Sequence, residues 1–539
     1  MAYNAAVSRI GRSYKQAPVD ERYDAIVIGS GLGGMTTALL LAQRGQRVAL
    51  LERHYVLGGF THVFRRKGWE WDVGVHYVGE VHRPQSVLRQ LFDHVTGGEL
   101  RWAEMGEVYD RIVFGDEEFP LRAGVSAFKA GLREQFPTPA HARAIDAYVD
   151  AVFDAVKASR SFFVEKALGS FGAWAAGGFM RRKYLAHTRK TTWEVLRSLT
   201  DDPRLVGVLC GQYGDYGLPP KQSSFGMHAS LVKHYLAGGC YPVGGSARIA
   251  ETIVPRLEAA GGVALTNAAV ETLLVEGGAV IGVRMADGRE IRAARVVSNA
   301  GVMSTFERLV PAAERERLGL AQRLRPLQPS AAHASLYLGL RGTAAELRLP
   351  KANYWIYPEG GYDHDANVER YLADERAPLP VAYISFPSAK DPDFERRYPG
   401  RATIEVVTLA PWERWARWAD LPWKKRGDEY EAAKARLAER LLAPVVRYEP
   451  QVRGAIELQE LSTPLSTRHF TAYGHGEIYG LSHDPQRFEQ KLLRPKTPLP
   501  NLWLTGQDVV TCGVGGALLS GFLTASAITG ENLVMKALR

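Results

Sequence analysis

Residues 23–28 (YDAIVI) form a short, mostly apolar run that stops at Gly29, the pattern of a parallel strand covered on both faces. The stretch MTTALLLAQRG then reads as a helix with Gly45 as its C-terminal stop. A second apolar run, Val48 to Leu51, ends in Glu52. Together these complete a strand–helix–strand unit within about 30 residues.

The same alternation returns later. Residues 247–260 predict a helix with Pro255 as an internal irregularity. The runs VETLLV, AVIGVR and EIRAARVV follow, joined by Glu276-Gly277-Gly278 and by Asp287-Gly288, a hairpin signal. Residues 501–505 (NLWLT) predict another buried strand before a glycine-rich helix start. The pattern predicts one α/β domain, Rossmann-type and discontinuous, built from residues 20–90, 236–305 and 451–539. Two insertions make a second, mixed α+β substrate domain. The first, 91–235, is helix-rich and aromatic. The second, 306–450, mixes strands near 334–339 and 381–386 with a charged helix at 428–442, for which Asp428 is the expected cap and Leu437, Leu441 and Leu442 the apolar side.

Composition narrows the class. Of 539 residues 46% are hydrophobic and 23% charged, which excludes a disordered or fibrous chain. Lys and Arg exceed Asp and Glu by 67 − 58, a net charge of +9. That charge suits an anionic membrane surface, but no nucleic-acid motif accompanies it, so no nucleic-acid partner is expected. Cys210, Cys240 and Cys512 lie far apart with no metal-type spacing, which predicts neither a disulfide framework nor a metal site. Residues 1–19 carry charges throughout, and no window reaches ~18 uninterrupted apolar residues. The expected location is cytoplasmic or peripheral on a membrane surface, without secretion or a spanning helix.

The chemistry enters at GSGLGG, residues 29–34, which holds GxGxxG at Gly29, Gly31 and Gly34, with Gly33 between. Set between a strand and a helix, this is a dinucleotide fingerprint: a tight turn, a close pyrophosphate approach, close helix–strand packing, and oriented N–H groups at the helix start. Glu52 follows Gly34 by 52 − 34 = 18 positions, where a carboxylate accepts from ribose hydroxyls and repels a 2′-phosphate. Gly58 and Gly59 then supply a second tight turn.

This order of GxGxxG, acid and paired glycines resembles the large FAD-dependent superfamily of amine oxidases and carotenoid desaturases. NLWLTGQD and TCGVGGALLSG resemble its closing motif. The resemblance implies a GR2-like FAD domain. In it Asp508, after Gly506, bonds the ribityl chain; Gly515 at a helix start faces the pyrimidine ring; Val270 meets the adenine; and Arg53 beside Glu52 belongs to the cofactor site. GGFTHVF (58–64), DVGVHYVGE (72–80), GQYGDYGLPPKQSSFGMHA (211–229), FPSAKDP (386–392) and LSTPLSTRHF (461–470) resemble the retinol saturase and carotenoid isomerase branch. Phe60 departs from that branch, where cysteine is usual.

That resemblance implies FAD as cofactor and a hydrophobic polyene as substrate, with flavin N5 against a polyene carbon. Reduction of a double bond is the leading expectation, and desaturation or cis–trans isomerisation of the same substrates the alternative. A prenyl-lipid carrier without redox activity is the rival from another class, opposed by the intact flavin motifs. The electron donor or acceptor is not legible, since the only full dinucleotide fingerprint is taken by FAD. His76 and Tyr77 are the candidate catalytic acids, histidine because it titrates near neutrality. His62, His228, His234 and His469 are secondary candidates, and their spacing implies no metal. No GxSxG elbow is present, which sets a serine hydrolase aside. The aromatic stretch 161–180 before Arg181, Arg182 and Lys183 suits either a core helix or membrane contact, as does the face formed by Trp412, Trp415 and Trp418.

Overall fold

The computed structural model describes residues 10–17, 19–168 and 170–539, without the side chains of 170–175. Two sheets carry the architecture. In the first, the strand Arg22–Ile28 lies between the parallel strands Val48–Leu51 and Glu290–Ser298. The helix Leu32–Ala42 buries every one of its residues, packed against helices Gly513–Thr529 and Arg248–Ala259. Cover on both faces explains why the strand is an apolar run rather than an alternation. The predicted hairpin forms: Ala279–Met285 pairs antiparallel with Glu290–Ser298 across a turn in which Gly288 has φ +88°. The strand expected at 501–505 spans Leu502–Leu504 and pairs parallel with Val296–Ser298, which brings the end of the chain beside its beginning.

The second sheet has seven strands, in the order Ile456–Ser462, His333–Arg341, Arg401–Leu409, Ala382–Ser385, Asn353–Tyr357, Val108–Phe114 and Glu117–Arg122. Its pairs are antiparallel except the parallel contact of Asn353–Tyr357 with Val108–Phe114, which joins the two insertions. Ile456–Ser462 belongs to this sheet, although it falls within the third nucleotide-binding segment expected at 451–539.

The helix expected at 428–442 runs from Asp428 to Tyr448 through Pro444. Gly427 is its N-cap; Asp428 lies inside the first turn with Glu429 and Glu431, where negative charge favours the helix dipole without capping it. Leu437 and Leu441 are buried as expected, joined by Val445.

The aromatic segments divide. Phe162 and Phe163, at the end of helix Pro139–Lys166, are buried, whereas Phe179 is 80% exposed. The expected contributions of Phe171 and Trp174 lie outside the described side chains. Trp415 and Trp418 are buried against Tyr430, so this part of the tryptophan face is core. Among the described residues no helix is long and apolar enough to cross a membrane. The three cysteines are free and buried.

Candidate active site

A cavity of about 1030 Å³ is lined by residues of both sheets. Of the cofactor candidates and the two leading catalytic candidates, all except Gly34 line it; of the secondary histidines His62 and His234 line it, and His228 and His469 do not. Gly34 stands behind the fingerprint turn: a Cβ there would sit 2.1 Å from the Gly29 carbonyl oxygen, so the helix can approach the strand only with glycine at this position. Gly59, at φ +56°, presses the second glycine turn onto the first, and its Cβ would come within 2.8 Å of Gly31 Cα. The two turns make one cradle of exposed backbone.

Glu52 fastens that cradle. Its Oε2 accepts from Ser30 N–H (2.9 Å) and Ser30 Oγ–H (2.7 Å), and its Oε1 accepts from His54 N–H (2.8 Å). Ser30 Oγ accepts in turn from Gly58 N–H (3.0 Å). A carboxylate has about four acceptor sites, so these three bonds leave one for a ribose hydroxyl. At the far end of the cavity wall Asp508 is fixed the same way, Oδ2 accepting from Val302 N–H (2.7 Å) and Oδ1 from Leu481 N–H (2.9 Å). Asn299, which the sequence reading missed, wedges between the fingerprint and the closing motif: a Cβ on Gly31 would meet its Nδ2 at 2.7 Å, and one on Gly506 its Oδ1 at 2.4 Å. Neither helix Leu32–Ala42 nor helix Gly513–Thr529, whose first turn holds Gly515, carries an acid in its first turn. Both N-termini therefore offer partial positive charge without competition. The residues present fit a dinucleotide lying across these turns, with its pyrophosphate at the first helix start.

Comparison with known proteins decides the family. Residues 27–95 match the model of the NAD(P)-binding Rossmann-like domain, and residues 216–529 that of the flavin containing amine oxidoreductases. The human all-trans-retinol 13,14-reductase is 36% identical over 97% of this chain and 88% of its own. This chain belongs to the all-trans-retinol 13,14-reductase family. The prolycopene isomerase of Arabidopsis thaliana is a more distant relative, 26% identical over 85% of this chain and 74% of its own. The solved structure of putrescine oxidase bound to putrescine shares the fold at TM-score 0.61 and 16% identity, over 95% of this chain and 99% of that one. The reductase family member described here is an FAD-dependent oxidoreductase.

Within this reductase, the wall opposite the dinucleotide cradle holds a dense set of buried titratable groups. His76, a cavity-lining residue, has Nδ1 2.9 Å from Glu405 Oε2, a close ion-pair contact between two buried atoms that have no hydrogen-bond partner. Burial, with Lys390 nearby, pushes the imidazole down to about 4, and burial lifts the Glu405 carboxyl to about 8. At neutral pH the imidazole is thus neutral and the shared proton rests on Glu405. This corrects the expectation that His76 itself is the group titrating near neutrality. Glu405 Oε1 accepts from Asp72 N–H (2.7 Å), and Asp72 is itself lifted to about 7 by burial and the Glu405 charge.

Tyr77 lies stacked on Tyr235 (4.0 Å between centroids, 7° between planes) and donates to Asp110 Oδ2 (2.8 Å), with Asp215 Oδ2 at 3.1 Å. Burial, then Asp110 and Asp215, hold its phenol well above the ordinary value, so it is a poor acid and serves as a brace. Asp110 also accepts from Gln212 Nε2 (2.7 Å) and Asn353 Nδ2 (2.8 Å). Asp215 lines the cavity, and burial, then Asp110, raise its carboxyl well above the ordinary value. Lys390 donates to the His76 carbonyl (3.0 Å), Ser385 Oγ (2.7 Å) and Asn353 Oδ1, and burial brings its amine down to about 7. Glu405, Lys390, Asp110 and Asp215 escaped the sequence reading, although Asp215 and Lys390 stand inside GQYGDYG and FPSAKDP.

The other candidate histidines each have a partner within the protein, and His62 and His234 also line the cavity. His228 is held between the hydroxyls of Tyr148 (2.8 Å) and Tyr216 (3.1 Å), and His234 Nε2 accepts from Gly79 N–H (2.8 Å). His62 Nδ1 lies 2.5 Å from the Gly59 carbonyl oxygen, and His469 stacks on Trp423 (4.3 Å). Among the described residues no His, Cys, Asp and Glu group could hold a metal ion. Phe60, where the sequence departs from its branch, lines the cavity and stacks on Tyr473 at 6.4 Å.

Proposed function

We propose that this enzyme saturates one carbon–carbon double bond of an extended retinoid- or carotenoid-like polyene. The observation that carries this reading is the continuity of the cavity: beyond the cofactor cradle its wall turns apolar and aromatic at Phe163, Leu231, Trp355, Val381, Tyr383 and Val407. Such a wall suits a long conjugated hydrocarbon and offers few polar partners to a hydrophilic substrate. The human relative is named for the same reaction on all-trans-retinol.

Gly29, Gly31, Gly58 and Gly59 would cradle the dinucleotide, Glu52 would receive a ribose hydroxyl, Val270 would lie toward the adenine, and Gly506, Asp508 and Gly515 would hold the flavin end. FAD bound there supplies, once reduced, the hydride taken by one carbon of the double bond. The chain must deliver a proton to the other carbon. His76 does so: its ring passes a proton into the cavity while Nδ1 takes the one resting on Glu405, 2.9 Å away. Lys390, donating to the His76 carbonyl, fixes that segment, and the Tyr77–Asp110 pair holds the neighbouring wall rigid. The apolar surround excludes water, so that the proton arrives from one side.

The test is product analysis. Chemically reduced holoenzyme, given all-trans-retinol without oxygen, yields a product heavier by two hydrogens, in an amount equal to the flavin oxidised. A product of unchanged mass and altered geometry overturns this reading in favour of isomerisation, the activity for which the Arabidopsis relative is named.

A further inference from the structure

Beside the mouth of the main cavity lies a second cleft of about 390 Å³, lined by Arg53, Arg308, Arg426 and Arg468 together with Leu421 and Trp423. Arg53, Arg308, Trp423 and Arg426 also line the main cavity, so the two spaces adjoin. The four guanidinium groups come from four separated stretches of chain, and only the fold brings them together.

Among the described residues no ion pair holds them, although Glu52 acts on Arg53 from a distance and aromatic rings face Arg426 and Arg468. Arg308 Nη1 donates to the Ala472 carbonyl (2.9 Å), Arg468 Nη1 to the Ala419 carbonyl (3.1 Å) and Arg426 Nη1 to the Tyr430 hydroxyl (3.4 Å). Among the described residues none of the four pairs with a carboxylate. Two acids lining the adjoining cavity are bonded elsewhere: Glu52 to Ser30 and His54, and Glu431 to Lys434 (3.4 Å). The mutual repulsion is visible in the neighbours. Burial and Arg308 hold Arg53 below its ordinary value, and burial with Arg53 and Arg426 holds His469 down.

Converging cations without counter-charges cost folding energy, and a phosphate group relieves it, because each guanidinium fork matches phosphate oxygens. Trp423, stacked on His469, and Leu421, 43% exposed, add an aromatic and apolar wall beside the charges. That combination selects a ligand with both phosphates and a flat or apolar body.

We propose that this cleft binds the phosphate groups of a second, exchangeable nucleotide, distinct from the dinucleotide held by the glycine fingerprint. A nicotinamide dinucleotide is the class that fits. This choice of class rests on the function proposed above, which consumes reducing equivalents at every turnover. The site itself rests on Arg308, Arg426 and Arg468, with Arg53 shared between this cleft and the first dinucleotide's cradle.

The test uses the oxidised FAD-loaded enzyme and needs no polyene, so its outcome is independent of the saturation chemistry. NADP⁺ is titrated by calorimetry and by quenching of tryptophan fluorescence, with inorganic pyrophosphate as competitor. Saturable binding, displaced by pyrophosphate, is expected. Arg308→Gln and Arg468→Gln should each weaken it about tenfold or more, as expected for loss of a charge-assisted hydrogen bond, with flavin content and thermal midpoint unchanged. No saturable binding at millimolar nucleotide, or binding indifferent to both substitutions, overturns the site. Tighter binding of a prenyl diphosphate than of the nucleotide overturns the ligand class.

Discussion

Replacing Glu405 by glutamine tests where the buried proton rests. Glu405 is wholly buried, with Oε1 on the Asp72 N–H (2.7 Å) and Oε2 on His76 Nδ1 (2.9 Å). Burial raises its carboxyl from 4.5 to about 8, opposed in part by the Asp72 N–H and the Lys390 charge. The folded pKa is above the unfolded one, so the folded state binds the proton more tightly. Its stabilising effect is full below pH 4.5 and is lost progressively as the pH rises to about 8. At ~1.4 kcal/mol per pH step the whole window is worth at most about 5 kcal/mol. Asp72 titrates in the same range, so one substitution removes roughly half of it, about 2 kcal/mol. Glutamine keeps the shape and the bond from Asp72 N–H to Oε1, and places an amide nitrogen where Oε2 now lies against His76. Glu405→Gln should therefore gain about 2 kcal/mol on the wild type between pH 5 and pH 8, read from denaturant midpoints of the flavin-loaded proteins. Parallel pH curves for the two proteins would show that Glu405 is ionised throughout, and would refute both the buried proton and its role as donor.

Four further outcomes follow from the same geometry. Gly34→Ala, whose Cβ would lie 2.1 Å from the Gly29 carbonyl oxygen, should purify without the visible flavin spectrum; a yellow variant would contradict the close packing. The rate of polyene reduction by pre-reduced enzyme should fall about tenfold per pH unit above about 8, where Glu405 loses its proton, and Glu405→Gln should be slow and flat across this range in stopped-flow traces. Tyr77→Phe removes the donor shared by Asp110 and Asp215 and should lower stability by about 1–3 kcal/mol in denaturant titrations, with flavin retained. Lys390→Met, which deletes three buried hydrogen bonds, should cost about 2–4 kcal/mol by the same measurement.

The nucleotide-binding elements were legible because their signals are local. An apolar run ending at Gly29, a helix, a second run ending at Glu52 and the Asp287-Gly288 turn each lie within a few residues, and the structure forms each element there. The double duty of Glu52 was not legible, because its partners Ser30 and His54 bond it through backbone geometry rather than through a motif. The acid–base wall was largely hidden for another reason. Glu405 sits in a strand whose partner His333–Arg341 is distant in sequence, its contact His76 lies in a far earlier segment, and the alternation of its strand marks it only as inward-facing. An inward-facing glutamate between apolar residues, ATIEVV, was the available signal. His76 and Tyr77 were singled out by position, and both line the cavity, yet adjacent residues on one short segment take different tasks: His76 lies against Glu405, while Tyr77 is stacked on Tyr235 with its hydroxyl tied to Asp110. The arginine cleft had no sequence signal, since its members are spread over more than 400 positions, from Arg53 to Arg468.

The most direct measurement is an anaerobic single turnover. The bound flavin is reduced chemically, one equivalent of all-trans-retinol is added, and the visible spectra of flavin and polyene are followed together. The account predicts that the oxidised flavin band returns at the rate at which polyene conjugation shortens, one flavin for each double bond lost. A flavin that stays reduced while the polyene is unchanged, or changes only in geometry, would contradict it.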